Sequence, residues 1–389
     1  MNPDLPTIPI MQSPPGAETV IDGRTYLYFV GTGYLGLQGH PEVIRAACEA
    51  VRRYGIGSAT SRTGFGNTPP VLEVERRAAE LFGLDDAFYF MSGYVGNQIL
   101  ALSLVEQFDA VFVDELSHYC VFEAARATGR PVHGFRHTDA GDLRAKLRQH
   151  LGPSDRPLVL SDGVFAARGE IAPAADYCQA LNEHGGGILC LDDAHGIGVL
   201  GQHGRGTLEH AGIFSAAVNG DTEDADAENG NVPRLLLCGT LSKAVGGYGG
   251  IIPGSRRFIE RLKQTSPYYA GASAPPVPVA AATARALELM MAGPELRTRL
   301  WENARLLKDG LRGLGLPADD TPVPIVCLAL GDAANMQRIQ AALRQRGIVV
   351  AYMAAYSGLG PQGALRLAVF ATHTEEMIGR LIDELGEVI

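Results

Sequence analysis

The stretch GTLSKAVGGYGG, Gly239 to Gly250, decides the reading of this chain. Leu235 to Cys238 before it is a short apolar run, the pattern of a buried strand. Two hydroxyls (Thr240 and Ser242), one lysine (Lys243) and the glycines Gly246, Gly247, Gly249 and Gly250 come after it. A lysine leaving a buried strand end sits where desolvation lowers its pKa and makes the amine nucleophilic, able to bond a carbonyl carbon. The hydroxyls can hold an anion beside it, and the glycines let backbone approach closely. The plain alternative is a solvated lysine next to a glycine-rich turn.

Outward from this stretch the chain alternates. The run 87–91 reads as a strand with a helix beginning near Asn97, 110–114 as a strand with a helix after Ser117, and 158–161 and 188–191 as strands with a helix between them. Helices are expected over 40–54, with Pro41 in the first turn and Gly55 at the end, and from Val71 to near Gly83. Alternation of this kind predicts an α/β fold, a mostly parallel sheet covered by helices, with ligands at the carboxyl ends of the strands. From about Pro275 two long helices over 278–314, a strand in 323–330, a helix near 333–346, two short strands and a helix over 374–385 describe a smaller α+β unit. The predicted organisation is an N-terminal arm (1–40, extended over 1–23), a large domain (41–275) and a small domain (276–389). Residues 216–232 interrupt the rhythm with Asp221, Glu223, Asp224, Asp226 and Glu228 and no basic residue, an acidic loop insert.

Bulk properties narrow the class. The chain has 389 residues, 46% hydrophobic and 20% charged, with a net charge of −10. That charge argues against a nucleic-acid surface. No apolar run approaches the ~20 residues of a membrane span. The six cysteines form no C-x-x-C pair, so no metal site is expected, and their scatter suits a reducing, cytoplasmic setting.

Four further places carry chemistry. Asp192 ends the strand 188–191 with His195 three residues on; a carboxylate there needs a cation to meet it, and a protonated ring nitrogen would serve, whereas an ordinary loop or cap is the plain reading. Ser92, Gly93 and Tyr94 join a strand to a helix whose free N–H groups suit a phosphate, or form a simple turn. His118 ends the next strand and is either a polar loop residue or a ring that lies flat on an aromatic cofactor. Arg366 interrupts the apolar run 364–370; on an exposed strand it needs nothing, but buried it needs an anion, and a carboxylate fits its fork. Together these are the parts that pyridoxal 5′-phosphate chemistry requires.

Their order resembles the α-oxoamine synthases, a branch of the fold-type I pyridoxal phosphate enzymes within the class II aminotransferase-like group. The branch includes 8-amino-7-oxononanoate synthase, glycine C-acetyltransferase, serine palmitoyltransferase and 5-aminolevulinate synthase. The markers are YLGLQGHP (34–41), YGIGSATSR (54–62), SGYVGNQ (92–98), DELSH (114–118), SDGVFAARGEIAP (161–173), LDDAHGIGVLGQHGRG (191–206), GTLSKAVGGYGG and LRLAVFATHTEE (365–376). The resemblance implies that Lys243 carries the cofactor, Asp192 pairs with its ring nitrogen, His195 bonds its 3′-oxygen and His118 stacks on the ring. It implies that Ser92, Gly93, Tyr94, Thr240 and Ser242 hold the phosphate and that Arg366 binds the substrate carboxylate. It implies a homodimer in which an α-amino acid and an acyl-CoA or related thioester condense, with decarboxylation, to an α-aminoketone. Another pyridoxal phosphate reaction on the same scaffold (transamination, aldol cleavage, racemisation, decarboxylation) is the rival. A non-catalytic regulator would need an attached DNA-binding module.

The chain departs from that family where substrate groups are sorted. Thr32 stands near a usual Asn, Pro69 at a usual His and Ala166 at a usual Ser, and Ser273 is the nearest match to the hydroxyls before the PP pair. These changes point to an amino acid or acyl donor outside the best-known pairs.

Overall fold

The computed structural model describes residues 8–215, 218–220, 233–354 and 358–389. Most of the acidic insert, and the first seven residues of the N-terminal arm, lie outside the described residues. The strands, in chain order, are β1 (Glu18–Ile21), β2 (Arg24–Tyr28), β3 (Asp86–Phe90), β4 (Ala110–Asp114), β5 (Val132–Phe135), β6 (Pro157–Asp162), β7 (Ile188–Asp192), β8 (Arg234–Thr240), β9 (Gly250–Gly254), β10 (Ile325–Leu328), β11 (Ile348–Val349), β12 (Ala351–Met353) and β13 (Ala364–Ala368).

A seven-stranded sheet of order β3-β9-β8-β7-β6-β4-β5 forms the centre. Strands β8, β7, β6, β4 and β5 run parallel, and β9 joins β8 and β3 antiparallel. The middle strands are apolar on both faces because both faces are covered. Along β6 and β7, Val159, Leu189 and Leu191 enter one core while Leu158, Leu160, Ile188 and Cys190 enter the other, the alternation of side chains on a pleated strand. Each fully buried leucine among them contributes about 1.5–3 kcal/mol. Strand β9 begins at Gly250, the last residue of the glycine-rich stretch, where no strand was expected. Strand β5 and the helix Ala140–His150 also lie where no element was expected. Val132 and Gly134 of β5 are exposed at the sheet edge, so the strand lacks the continuous apolar signal of its neighbours.

Asn219 wedges apart the ends of β8 and β9. Its Nδ2 donates to Leu237 O (2.7 Å) and Pro253 O (2.6 Å), and its Oδ1 accepts from Leu237 N (2.9 Å). The side chain thereby replaces ladder bonds between two strands that pair directly only near Gly239 and Thr240.

The loop after the helix Pro41–Tyr54 is pinned from inside. Arg62 makes a bidentate ion pair with Glu75 (2.6 and 2.9 Å), both buried, and donates to Asn67 Oδ1 and Tyr89 O. Each guanidinium nitrogen has an acceptor, which a buried pair requires if it is not to destabilise.

Packing crosses the expected boundaries at both ends. The N-terminal arm is not a free extension. β1 and β2 pair antiparallel, and β2 continues in parallel onto β11. Leu27 and Phe29 lie in the same core as Leu307, Leu328, Leu367 and Leu381. At the other end the helix Val277–Ala292 buries Ala280, Ala284, Leu287 and Met290 in the core of the large sheet. The long helix Pro294–Gly313 spans both cores, Leu300 in the first and Leu307 and Leu311 in the second. The apolar stripe of a long helix reads the same in sequence whichever core it faces. No helix among the described residues is long and apolar enough to cross a membrane.

Candidate active site

The parallel strands end on one side of the sheet in polar residues: Asp114 on β4, Asp162 on β6, Asp192 on β7 and Thr240 on β8. Beyond those ends lies a cavity of about 200 Å³. Ser92, Gly93, Tyr94, His118, Asp192, His195, Thr240, Ser242 and Lys243, all singled out from sequence, line it. This is the side of an open α/β sheet on which ligands bind.

The turn after β8 brings Lys243 to the cavity wall. Gly246, at φ +75°, lets the turn fold back on Leu37, whose Cβ would lie 2.7 Å from a Cβ placed there, and Gln38 Nε2 holds Lys243 O at 3.0 Å. Desolvation lowers the Lys243 pKa, and the carboxylates of Asp192 and Asp162 partly offset it.

Asp192 is held as an acceptor on both oxygens. Oδ2 accepts from Asn97 Nδ2 (2.7 Å) and from the Cys120 thiol (3.6 Å), and Oδ1 from Ala194 N (3.1 Å). Asn97 is fixed in turn, since its Oδ1 faces the thiols of Cys238 (3.5 Å) and Cys190 (3.9 Å). The neighbouring Asp193 points away and ties down the next loop through Thr207 N (2.6 Å) and Thr207 Oγ1 (2.7 Å). Burial pushes its pKa up to about 7.

His118 caps the helix Tyr119–Ala127, its Nδ1 accepting from Cys120 N (3.3 Å). Its ring sits edge-on to Tyr94 at 5.9 Å, and its backbone N–H donates to Asp162 Oδ2 (3.1 Å). Burial lowers its pKa, with Asp192 opposing and Lys243 adding to the shift. Ser92 caps the turn Gly93–Val95, from which the helix Gly96–Ser103 starts. Thr240 Oγ1 meets Ser242 Oγ at 2.7 Å and donates to Gly249 O (2.9 Å). Gly93 is required here, because a Cβ would lie 2.7 Å from Thr240 Cβ. Backbone N–H groups, a helix start and three hydroxyls therefore converge on one corner, a donor set suited to a phosphate.

His195 is buried, and its Nδ1 lies 2.7 Å from the hydroxyl of Tyr34. Burial drives the His195 pKa well down, and Lys243, Arg366 and His118 add to the effect.

Arg366 is also buried and sits behind the cavity wall rather than on it. Its Nε donates to Ala166 O (3.0 Å), Nη1 to Gly31 O (3.2 Å) and Nη2 to the Tyr34 hydroxyl (3.4 Å). These acceptors are neutral, so they leave the guanidinium charge uncompensated, as an anion-binding arginine requires. Of the positions that depart from the family pattern, Ala166 lines the cavity. Pro69 opens the helix Pro69–Phe82 beside Tyr54 and Glu288, apart from the cavity, and Ser273 pairs with Ser61.

Sequence reasoning missed Tyr34, Asn97, Cys120 and Asp162. Asp162 is the most informative: its Oδ1 is buried without a hydrogen-bond partner, and the residue lines the cavity. Burial first, then the Asp192 charge, push its pKa well up. Its position at a strand end, like Asp114 and Asp192, was the available signal. An orphaned buried oxygen, a lysine of lowered pKa, a carboxylate aimed inward and a phosphate corner together fit pyridoxal 5′-phosphate. Among the described residues no group of three His, Cys, Asp or Glu is placed to hold a metal ion.

Comparison with known proteins shows the family of the chain. Residues 32–385 match the family aminotransferase class I and II. The chain is 36% identical over 382 residues to 8-amino-7-oxononanoate synthase of Cellvibrio japonicus (strain Ueda107), covering 98% of this chain and 91% of that protein. It is 34% identical over 380 residues to the synthase of the same name from Pseudomonas putida (strain GB-1), covering 97% and 92%. Among solved structures, serine palmitoyltransferase of Sphingomonas wittichii superposes with a TM-score of 0.86 at 26% identity, covering 98% of this chain and 91% of that one. A variant of serine palmitoyltransferase from S. paucimobilis with a bound PLP–myriocin aldimine gives 0.85 at 25%, covering 98% and 92%.

Proposed function

We infer the function of this chain from its kinship: it belongs to the aminotransferase class I and II family and, within it, to the α-oxoamine synthases. It is a pyridoxal 5′-phosphate-dependent acyltransferase that condenses an α-amino acid with an acyl thioester, with loss of carbon dioxide, to an α-aminoketone. The observation that carries the reading at residue level is the cavity that Lys243 and Asp192 both line, with a phosphate corner on one side and Arg366 behind the wall.

We propose a role for each residue of the site. Lys243 bonds the cofactor, Asp192 holds its ring nitrogen, His195 donates to its ring oxygen and His118 covers one ring face. Gly93, Tyr94, Ser92, Thr240 and Ser242 take the phosphate. When bound, the cofactor supplies an electron sink conjugated to the substrate Cα. Asp192, anchored by Asn97, Cys120 and Ala194 N–H, keeps its charge aimed at the ring nitrogen without reorganisation. Arg366 orients the amino acid through its carboxylate. Displaced from the cofactor by the incoming substrate amine, Lys243 Nζ would be free to take the Cα proton, and desolvation, which lowers its pKa, would favour its neutral form.

The first test is proton exchange. The protein should exchange the Cα hydrogen of one amino acid with solvent deuterium. Adding acyl-CoAs of increasing chain length should then release free thiol and carbon dioxide. Clear exchange with no thiol release from any acyl thioester would refute acyl transfer, and a 2-oxoacid, aldehyde or enantiomer as product would identify the reaction in its place.

We also propose a homodimer acting in the cytoplasm. All six cysteines are unpaired, as a reducing compartment requires. Phe65 is 98% and Ile56 68% exposed, close in sequence to the exposed Ile44 and Leu72, an apolar surface that a second copy would cover. Light scattering should give twice the chain mass of 41.3 kDa, and Phe65→Asp should shift it toward the monomer. A wild-type mass of one chain would overturn the dimer.

A further inference from the structure

We propose that Tyr34 is a positioning residue: with Arg366 filling its oxygen, it fixes His195 in the tautomer that carries its proton on Nε2. The proposal deepens the reading of the site and rests on it only in taking His195 to face the cofactor ring oxygen.

Hydrogen-bond direction decides the tautomer. A guanidinium donates and never accepts. Arg366 Nη2 lies 3.4 Å from the Tyr34 hydroxyl, so the phenol oxygen is the acceptor there. That hydroxyl also lies 2.7 Å from His195 Nδ1, a separation that needs one hydrogen between the two atoms. If Nδ1 held the hydrogen, Tyr34 would accept twice, and its own proton would be stranded in a fully buried position. If the phenol holds it, the Tyr34 hydroxyl donates once and accepts once, and Nδ1 is a bare acceptor. Tyr34 stays protonated, because burial pushes its pKa up to about 12. His195 stays neutral, because burial and the charges of Lys243 and Arg366 oppose a second proton. The ring proton is then on Nε2, and the imidazole, which lines the cavity, is a donor there.

The chain Arg366–Tyr34–His195 also joins two subsites. Arg366 sits where a substrate carboxylate is proposed to bind, and His195 faces the cofactor. An anion that draws Nη2 away from Tyr34 alters the group that fixes the imidazole. The second oxygen partner that Arg366 holds, Ala166 O, belongs to the loop whose Ala166 itself lines the cavity. The arginine is thus braced on both sides by atoms that report to the site.

The test is the nitrogen spectrum of ¹⁵N-histidine-labelled full-length protein, with and without cofactor. His195 should show a pyridine-type Nδ1 and a protonated Nε2. Tyr34→Phe keeps the ring volume and removes only the hydroxyl, and it should abolish the single-tautomer pattern, both nitrogens moving toward averaged shifts. His373, whose Nδ1 accepts from Phe370 N (2.8 Å), is fixed by backbone and should be unchanged, which reports an intact fold. A protonated Nδ1 in the wild type, or an unchanged His195 in Tyr34→Phe, would overturn the relay. A changed tautomer in Tyr34→Phe with a shifted visible absorbance of the loaded protein supports relay and site together. The same change with an unaltered absorbance upholds the relay and removes His195 from the cofactor.

Discussion

Replacing Lys243 by alanine is expected to lower Cα proton exchange by at least the ~10²–10⁴-fold that a positioned proton-transfer group contributes, and to end covalent retention of the cofactor. The amine reaches the cavity from the turn after β8, and its lowered pKa makes it the available base among the cavity residues. His118 and His195, whose pKa values burial also lowers, are committed elsewhere, His118 to the cap of its helix and His195 to Tyr34. Borohydride reduction of the wild type followed by peptide mapping should place the cofactor on Lys243, and the variant should release it on dialysis after the same treatment. Label on a different lysine, or wild-type exchange in the variant, would reject the assignment.

Asp192→Asn is expected to reduce Cα exchange by about 10²–10³-fold, the usual cost of removing one preorganised electrostatic group. The structure adds a second reason for the loss. Both oxygens of Asp192 accept: Oδ1 from Ala194 N, Oδ2 from Asn97 and Cys120. A carboxamide keeps one of these sides and turns its own NH₂ toward a donor on the other, leaving a buried clash worth about 1–3 kcal/mol. Asn97 cannot flip in compensation without turning its own NH₂ onto Cys190 and Cys238. The variant should therefore melt at a lower temperature as well as exchange more slowly. Replacing Asn97 by aspartate in the same variant should recover the contact, with the amide now at position 192 donating to the new carboxylate, but not the exchange, because the charge then sits at position 97 and not at 192. Exchange within a few-fold of wild type would show that ring protonation does not depend on Asp192.

Much of this site was legible because its parts sit at the ends of continuous apolar runs. The runs 110–114, 188–191 and 235–238 mark buried strands, and the residues just past each run are held at the rim of the sheet, so His118, Asp192 and Lys243 could be grouped without any structure. Other residues were not legible, for three physical reasons. Asn97 and Asp192 are 95 positions apart, and only their 2.7 Å contact makes Asn97 part of the site. Tyr34 sits in a tract readable as a marker, yet its bond to His195 crosses 161 positions. Arg366 was expected to need an anion if buried, but nothing in 364–370 says that it stands behind the wall, bonded to Ala166 O. The packing of the N-terminal strands was hidden for another reason: β1 and β2 carry the short alternation of any edge hairpin, and the partner that makes them part of the C-terminal core is β11.

That pairing of β2 with β11 bears on how the chain is made. The core that holds Leu27 and Phe29 is completed by Ile378, Leu381 and Leu385, near the opposite end of the sequence. During synthesis the β1–β2 hairpin leaves the ribosome without the strand that joins it to a core until some 320 further residues have been added, by the separation of Leu27 and Ile348. The central sheet, whose strands lie between, has its residues available first. The closing of the C-terminal core therefore waits for residues 325–388, and the loop it closes spans some 320 residues, a slow, high-contact-order step. Trimming the chain before Phe29 would remove a strand from a unit whose other members are encoded hundreds of residues later, so the two termini have to be treated as one piece in any redesign.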